Sequence, residues 1–179
     1  MKTIPASLRR KAANIRLLLL DVDGVLTDGR IIIDDRGVET KHFHVRDGQG
    51  ISLLKRSGIE VGFITGRSSR VVRHRANDLR VTLLFQGVQD KLRVYERIKK
   101  KRRLTDAQIA YVGDDIIDLP VLRRVGLAVM VGDGSAELKP LADYVTVARG
   151  GMGAVREVAE LILKAHNKWS DLLPLQANS

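Results

Sequence analysis

Apolar residues fall along this chain in two alternating rhythms. Short unbroken runs recur at Ile15–Leu20, Val61–Ile64 after Glu60, Val81–Phe85, Ile109–Val112, Leu127–Val131 and Tyr144–Val147. Runs of this length, bounded by polar sequence, mark strands buried on both faces. Between them the apolar positions take helical spacing, over Ala6–Asn14, Gly48–Ser57, Lys91–Lys101, Ile116–Val125 and Gly153–His166. A further helix runs to about Leu79 from an N-cap at Ser68 or Ser69. The last helix gathers Val155, Val158, Ala159, Ile162 and Leu163 on one face. Pro120 suits its helix only near the start, and a short helix is expected around Glu137. One stretch breaks the rhythm: Arg30–Ile33 and Val38–Val45 flank Asp34-Asp35-Arg36-Gly37, which predicts a β-hairpin.

Strands alternating with helices imply a doubly wound α/β domain, a parallel sheet covered on both faces. The hairpin, about residues 30–45, is an insert, and residues from about 167 to 179 form a tail. With 179 residues, no internal repeat and no long linker, one domain over 1–179 is expected.

The charge adds a question to this picture. The net charge is +10, and its densest cluster is Lys99-Lys100-Lys101-Arg102-Arg103 at a helix end, with Arg70, Arg73, Arg75 and Arg80 elsewhere. A basic balance attracts nucleic acid or an anionic substrate. Aromatic residues make up only 4% of the chain, too few for base-stacking platforms, and no nucleic-acid motif occurs. A basic oligomer with a vestigial site is therefore the remote alternative, since cations at a helix C-terminus also suit its dipole. The absence of cysteine excludes thiol and zinc-thiolate chemistry and fits a reducing compartment. Ile15–Leu20 is too short for the apolar part of a signal peptide, and no segment approaches membrane-spanning length. These features predict a soluble cytoplasmic protein without a membrane partner.

The candidate chemistry lies at the strand ends, where ligands bind in such a sheet. Asp21-Val22-Asp23-Gly24 follows the first strand, and Thr65-Gly66-Arg67 the second. Lys91 opens the helix after the third, and Gly113-Asp114-Asp115 follows the fourth, with Asp118 beyond. Together these residues suit phosphoryl transfer. Asp21 can attack phosphorus, and Asp23 can protonate the leaving alkoxide and then deprotonate water. Asp21 and Asp114 offer hard oxygens to Mg²⁺. The Thr65 hydroxyl and the N–H groups of the following helix start can bind phosphate, with Lys91 as a point charge. Taken singly, Asp115 and Asp118 stand where helix-capping acids stand.

In these motifs the chain resembles the haloacid dehalogenase superfamily of aspartyl-phosphate phosphatases over roughly Ile15 to Glu160. The resemblance implies Asp21 as nucleophile, Asp23 as general acid and base, and Thr65 and Lys91 as phosphate ligands. It implies Asp114 and the backbone carbonyl of Asp23 as Mg²⁺ ligands beside Asp21, with Asp115 and Asp118 supporting. Most members carry a cap domain, but the hairpin and one helix use up the segment between Asp23 and Thr65. An uncapped site is open and wet, which weakens electrostatic catalysis, so a neighbouring copy is expected to close it. Ile31, Ile32, Ile33 and Phe43 make the hairpin apolar enough to pair with other copies; packing on their own domain is the alternative.

Phe43-His44-Val45-Arg46-Asp47-Gly48, Tyr111–Asp115 and Gly150-Gly151-Met152-Gly153-Ala154-Val155-Arg156-Glu157 sharpen the likeness to capless, tetrameric members acting on phosphorylated sugar acids. That likeness implies 3-deoxy-D-manno-octulosonate 8-phosphate as substrate, met by Asp23, His44, Val45, Arg46, Asp47, Gly48, Arg67, Arg75 and Lys91. A neighbour's hairpin and tail would cover the site. Arginine forks suit a substrate bearing both carboxylate and phosphate. A sialic-acid-type 9-phosphate is the alternative substrate. His44, Ser52 and Met152 depart from the family pattern, while Arg46 and Arg67 favour the octulosonate. His42 and His44 are expected on one side of a strand, and with no third ligand evident His44 is read as a substrate contact.

Overall fold

The computed structural model describes residues 4–172. In chain order its helices and strands are α1 (Ala6–Ala13), β1 (Leu17–Leu20), β2 (Ile32–Ile33), β3 (Glu39–Thr40), α2 (Val45–Arg56), β4 (Glu60–Ile64) and α3 (Arg70–Asp78). There follow β5 (Leu83–Phe85), α4 (Lys91–Arg102), β6 (Ile109–Gly113), α5 (Leu119–Leu122), β7 (Leu127–Met130), β8 (Tyr144–Val145) and α6 (Ala154–Ala165). Six strands form one parallel sheet in the order β5-β4-β1-β6-β7-β8.

The leucine run of β1 pairs on one side with Glu60–Phe63 and on the other with Ile109–Val112. Leu18 and Leu20 join the core beneath α1, α2, α3 and α6, and Leu17 and Leu19 the core beneath α4 and α5. With both faces covered, every position of the strand is apolar rather than every second one. From β1 the chain builds outward through β4 and β5, then returns to the other side of β1 with β6. That reversal opens a crevice at the carboxyl end of β1, the place where such sheets bind ligands.

The hairpin is shorter than the pattern predicts. Only Ile32–Ile33 and Glu39–Thr40 pair, antiparallel, around a turn in which Asp34 Oδ1 accepts the N–H groups of Arg36 (3.1 Å) and Val38 (2.7 Å). Its second arm ends at Thr40, and Val45 begins α2 three residues before the expected start. The physical reason is a cap: His44 Nδ1 accepts the N–H of Arg46 at 3.2 Å. His42 and His44 therefore do not share a strand face, which corrects the geometry behind reading His44 as a substrate contact. Ile31, Ile33 and Val38 stay exposed, while Phe43 packs on its own core with the Arg75 guanidinium 5.6 Å from its ring.

Elsewhere the departures are local. The helix expected over Ile116–Val125 divides into a 3₁₀ turn, Ile116–Asp118, and α5, with Pro120 in the first turn of α5 as its missing N–H requires. A 3₁₀ turn at Lys139–Leu141 takes the place of the helix expected around Glu137. The basic run closes α4, where Lys99 pairs with Glu96 and Asp106 and Arg102 with Glu60. Trp169 lies under Arg156 and Lys164 of its own α6; the tail beyond residue 172 is outside the described residues. No helix among the described residues is long and apolar enough to cross a membrane.

Candidate active site

Asp21 is the first residue past β1, and its N–H continues the sheet ladder by donating to Val112 O at 3.0 Å. The neighbouring strand thus fixes where its carboxylate stands. Lys91 is the first residue of α4, whose N-cap is Asp90, so the start of that helix is aimed at the same crevice. Its buried ammonium lies 3.0 Å from Asp21 Oδ1 and donates to Asp118 Oδ1 at 2.7 Å. The Tyr111 hydroxyl, from β6, donates to the same Asp118 oxygen at 2.6 Å. Asp118 Oδ2 accepts the N–H of Asp114 at 3.0 Å. Asp118 is therefore fully buried and saturated, holding both Lys91 and the loop that carries Asp114. Asp115 caps the turn locally, its Oδ1 accepting the N–H of Ile116 at 2.7 Å.

Asp21, Asp114 and Asp118 bring oxygens within 4.8 Å of one another, and among the described residues Lys91 is the single cation in salt-bridge contact with them. Burial, reinforced by Asp21 and Asp118, pushes the Asp114 carboxyl up to about 8. Burial and Asp118 push Asp21 up to about 6 against the opposing pull of Lys91. Burial would lower Lys91, but the two carboxylates outweigh it and hold the ammonium above its ordinary value. The cluster carries uncompensated negative charge on hard oxygens, the donor set that a divalent cation satisfies. The backbone makes room for the Asp114 carboxylate as well. Gly24 takes a φ of +90°, and a Cβ there would stand 2.1 Å from Asp114 Oδ2. These residues fit Mg²⁺.

Asp23 faces the opposite wall. Its Oδ2 lies 3.5 Å from Thr65 Oγ1, and its Oδ1 accepts from Lys41. Thr65 is pinned by its backbone, donating to Phe85 O at 3.0 Å and accepting from the Val88 N–H at 3.1 Å. Arg67 reaches Glu39 Oε1 at 3.2 Å. Asp21, Asp23, Thr65, Arg67, Lys91, Asp114 and Asp115 thus line one cleft of about 180 Å³. The helix start after Thr65 does not. The Ser69 N–H donates to Gln86 Oε1 at 2.8 Å and the Val72 N–H to Ser69 Oγ, so α3 opens onto a neighbouring hollow. The intervening residues lengthen the loop enough to carry the helix away from the cleft.

The remaining residues of the expected substrate set do not line this cleft. Val45 and Arg46 are exposed, and Arg46 borders a separate depression with Met152 and Arg156. The Asp47 carboxylate is buried and accepts the N–H groups of Gly153 (3.2 Å) and Arg156 (2.8 Å), capping α6. Gly48 makes way for Arg75, whose Nη2 a Cβ would meet at 2.3 Å. Arg75 itself pairs with Asp78 at 2.7 Å. Two residues that sequence reasoning passed over do join the site: Glu39, from the hairpin's second arm, and Lys41, one residue past its end. Their two-residue spacing within a β-prone run was the available signal.

Residues 85–155 match the family described as haloacid dehalogenase-like hydrolase. The chain is 50% identical over 159 residues to the 3-deoxy-D-manno-octulosonate 8-phosphate phosphatase of Yersinia pestis, covering 89% of this chain and 85% of that protein. Among solved structures, that of the Moraxella catarrhalis phosphatase of the same name superposes with a TM-score of 0.90 at 44% identity, covering 92% of this chain and 95% of that one. It was determined with magnesium, phosphate and the octulosonate bound. The cobalt-bound phosphatase of Haemophilus influenzae superposes with a TM-score of 0.89 at 40% identity, over 93% of this chain and 97% of the other.

Proposed function

This chain belongs to the haloacid dehalogenase-like hydrolases, among their 3-deoxy-D-manno-octulosonate 8-phosphate phosphatases, and from that membership we propose that it hydrolyses this sugar-acid phosphate through a phosphorylated Asp21. The observation that carries the reading is the cleft in which Asp21, Asp23, Thr65, Lys91 and Asp114 meet. An Asp21 oxygen bonds to phosphorus as the bond from phosphorus to the sugar oxygen breaks, and the proton for the departing alkoxide comes from Asp23. Asp23, now ionised, takes a proton from water as the water oxygen attacks phosphorus, and Asp21 is released as carboxylate. Lys91 holds Asp21 throughout and, with the Thr65 hydroxyl, faces the phosphoryl oxygens whose charge grows in each step.

Mg²⁺, when bound, offsets the repulsion between carboxylates and phosphate and draws charge from the phosphoryl group. Asp21, Asp114 and the backbone carbonyl of Asp23 are assigned as its protein ligands. Asp118 is assigned a supporting role because its oxygens are already taken by Lys91, Tyr111 and the Asp114 N–H. Arg67, exposed at the mouth, is assigned the substrate carboxylate. Val45, Arg46 and Arg75 are assigned to a surface through which a neighbouring copy meets the site, with Asp47 and Gly48 holding that surface in shape. The exposed Ile31, Ile33 and Val38 of the hairpin support closure by other copies in a homotetramer. The cysteine-free composition supports a cytoplasmic enzyme, whose product would feed lipopolysaccharide synthesis.

A phosphate-release assay with the octulosonate 8-phosphate, a nine-carbon sugar-acid 9-phosphate and nucleoside monophosphates tests the assignment. The eight-carbon substrate should give the highest kcat/KM, and EDTA should abolish turnover. Preference for a nucleotide would remove the assignment, and preference for the nine-carbon acid would transfer it to the sialic-acid type.

A further inference from the structure

Lys41 is the least expected charge in this protein. It lies one residue past β3, the hairpin's second arm, yet its side chain is only 1% exposed. A buried ammonium is retained only when it is well paired. Here it donates to Asp23 Oδ1 and stands 3.2 Å from Glu39 Oε1. That same Glu39 oxygen takes Arg67 Nη2 at 3.2 Å. Burial would raise the Glu39 carboxyl, but hydrogen bonds from Ser69, Lys41 and Arg67 outweigh it and hold the group below its ordinary value. A continuous chain of charges thus runs Asp23–Lys41–Glu39–Arg67, with both inner members contributed by the hairpin.

We propose that Lys41, held by Glu39, is a positioning residue for Asp23, fixing its carboxylate so that Oδ2 alone faces the reacting atoms. The geometry divides the two oxygens of Asp23. Oδ1 is occupied by Lys41 on the hairpin side, and Oδ2 points toward Thr65 Oγ1 in the cleft. A carboxylate free to rotate would present either oxygen in several orientations, and proton transfer to an alkoxide tolerates little misplacement. The hairpin base is by this inference part of the catalytic apparatus as well as an assembly surface. The inference rests on the proposed acid and base role of Asp23.

The test compares Lys41→Met, Asp23→Asn and the double variant on two substrates: the octulosonate 8-phosphate, whose alkoxide needs a proton, and 4-nitrophenyl phosphate, whose leaving group does not. The value compared is kcat/KM, which reports steps through departure of the leaving group. Lys41→Met should lose about 10- to 100-fold on the sugar phosphate, a part of what general acid catalysis supplies, and several-fold less on the aryl phosphate. In the Asp23→Asn background the same substitution should cost less than about threefold, because its effect runs through Asp23. Lys41→Arg should restore most of the sugar-phosphate rate. Equal losses on both substrates, or an undiminished loss in the Asp23→Asn background, would overturn the inference. If Asp23→Asn itself shows no difference between substrates, the acid role of Asp23 fails first, independently of Lys41. Should Lys41→Met not fold, Glu39→Gln keeps the volume and removes one of the two carboxylate partners of Lys41. The same substrate difference, smaller in size, is then expected, and its absence overturns the inference.

Discussion

Lys91 shows how the site's residues are balanced against one another. Its ammonium is shared between Asp21 and Asp118, both buried. Lys91→Met would leave two carboxylates without their cation, and breaking a buried pair in this way costs about 3–5 kcal/mol. Urea denaturation in EDTA should show that loss. Asp21→Asn acts in the opposite sense. It removes the proposed nucleophile, so turnover should fall by about 10³-fold or more, but it also removes a buried charge, so the metal-free fold should not be weakened. A pH dependence follows from the same charges. Asp21 and Asp114 have folded-state values of about 6 and about 8, raised from an ordinary 3.8. The folded protein binds their protons more tightly than the unfolded chain does. Their contribution to stability is therefore fully present below pH 3.8 and is lost as pH rises through about 6 and about 8. Thermal melts in EDTA between pH 5 and 9 should show Tm falling with pH, less steeply for Asp114→Asn. Added Mg²⁺ should raise Tm more at pH 8 than at pH 6, because the cation competes with those protons.

Between elements, the decisive contact is one that joins two helices rather than forming one. The N-terminus of α6 has no side-chain cap of its own, since Gly153 stands at the N-cap position. Asp47 of α2 supplies the acceptor from across the core. Asp47→Ala should destabilise the protein by about 1–3 kcal/mol, the range for a lost cap that strands buried N–H groups. Asp47→Asn, which keeps one acceptor, should cost less; chemical denaturation measures both. The family likeness implied Asp47 and Gly48 as substrate contacts, and a polar pair before an apolar helix carries no sign of which helix its carboxylate will serve. Strand ends were legible for a different reason. An all-apolar run that stops at Asp21, Thr65 or Gly113 has a boundary written in residue type alone. The hairpin's second arm had no such boundary. Phe43 and Val45 are β-prone, and only the His44 cap and the packing of Phe43 on its own core turned that stretch away from the strand.

For the molecule as a whole, the cleft is open on one side and the hairpin beside it carries apolar residues into solvent. Ile31 and Ile33 are 58% and 54% exposed. Exposed apolar clusters of this kind mark contact surfaces. Ile31→Glu combined with Ile33→Glu should convert the proposed tetramer to smaller species in light scattering. The loss of octulosonate phosphatase activity should then exceed the loss on 4-nitrophenyl phosphate, whose small body needs no cover. A variant that remains tetrameric would place the assembly surface elsewhere.

The sequence by itself determined the sheet and the edge at which its chemistry collects. Burial on both faces leaves an unmistakable apolar run, and Asp21, Asp23, Thr65, Lys91 and Asp114, residue types suited to phosphoryl transfer, stand just past such runs. Only the tertiary structure decided how those charges are held. It gave Asp118 to Lys91 and Tyr111, Asp47 to α6 and Lys41 to Asp23. Each of these pairs joins residues far apart in the chain or on different elements. Their partners are set by how helices and hairpin pack on the sheet, which no local pattern of residue types records.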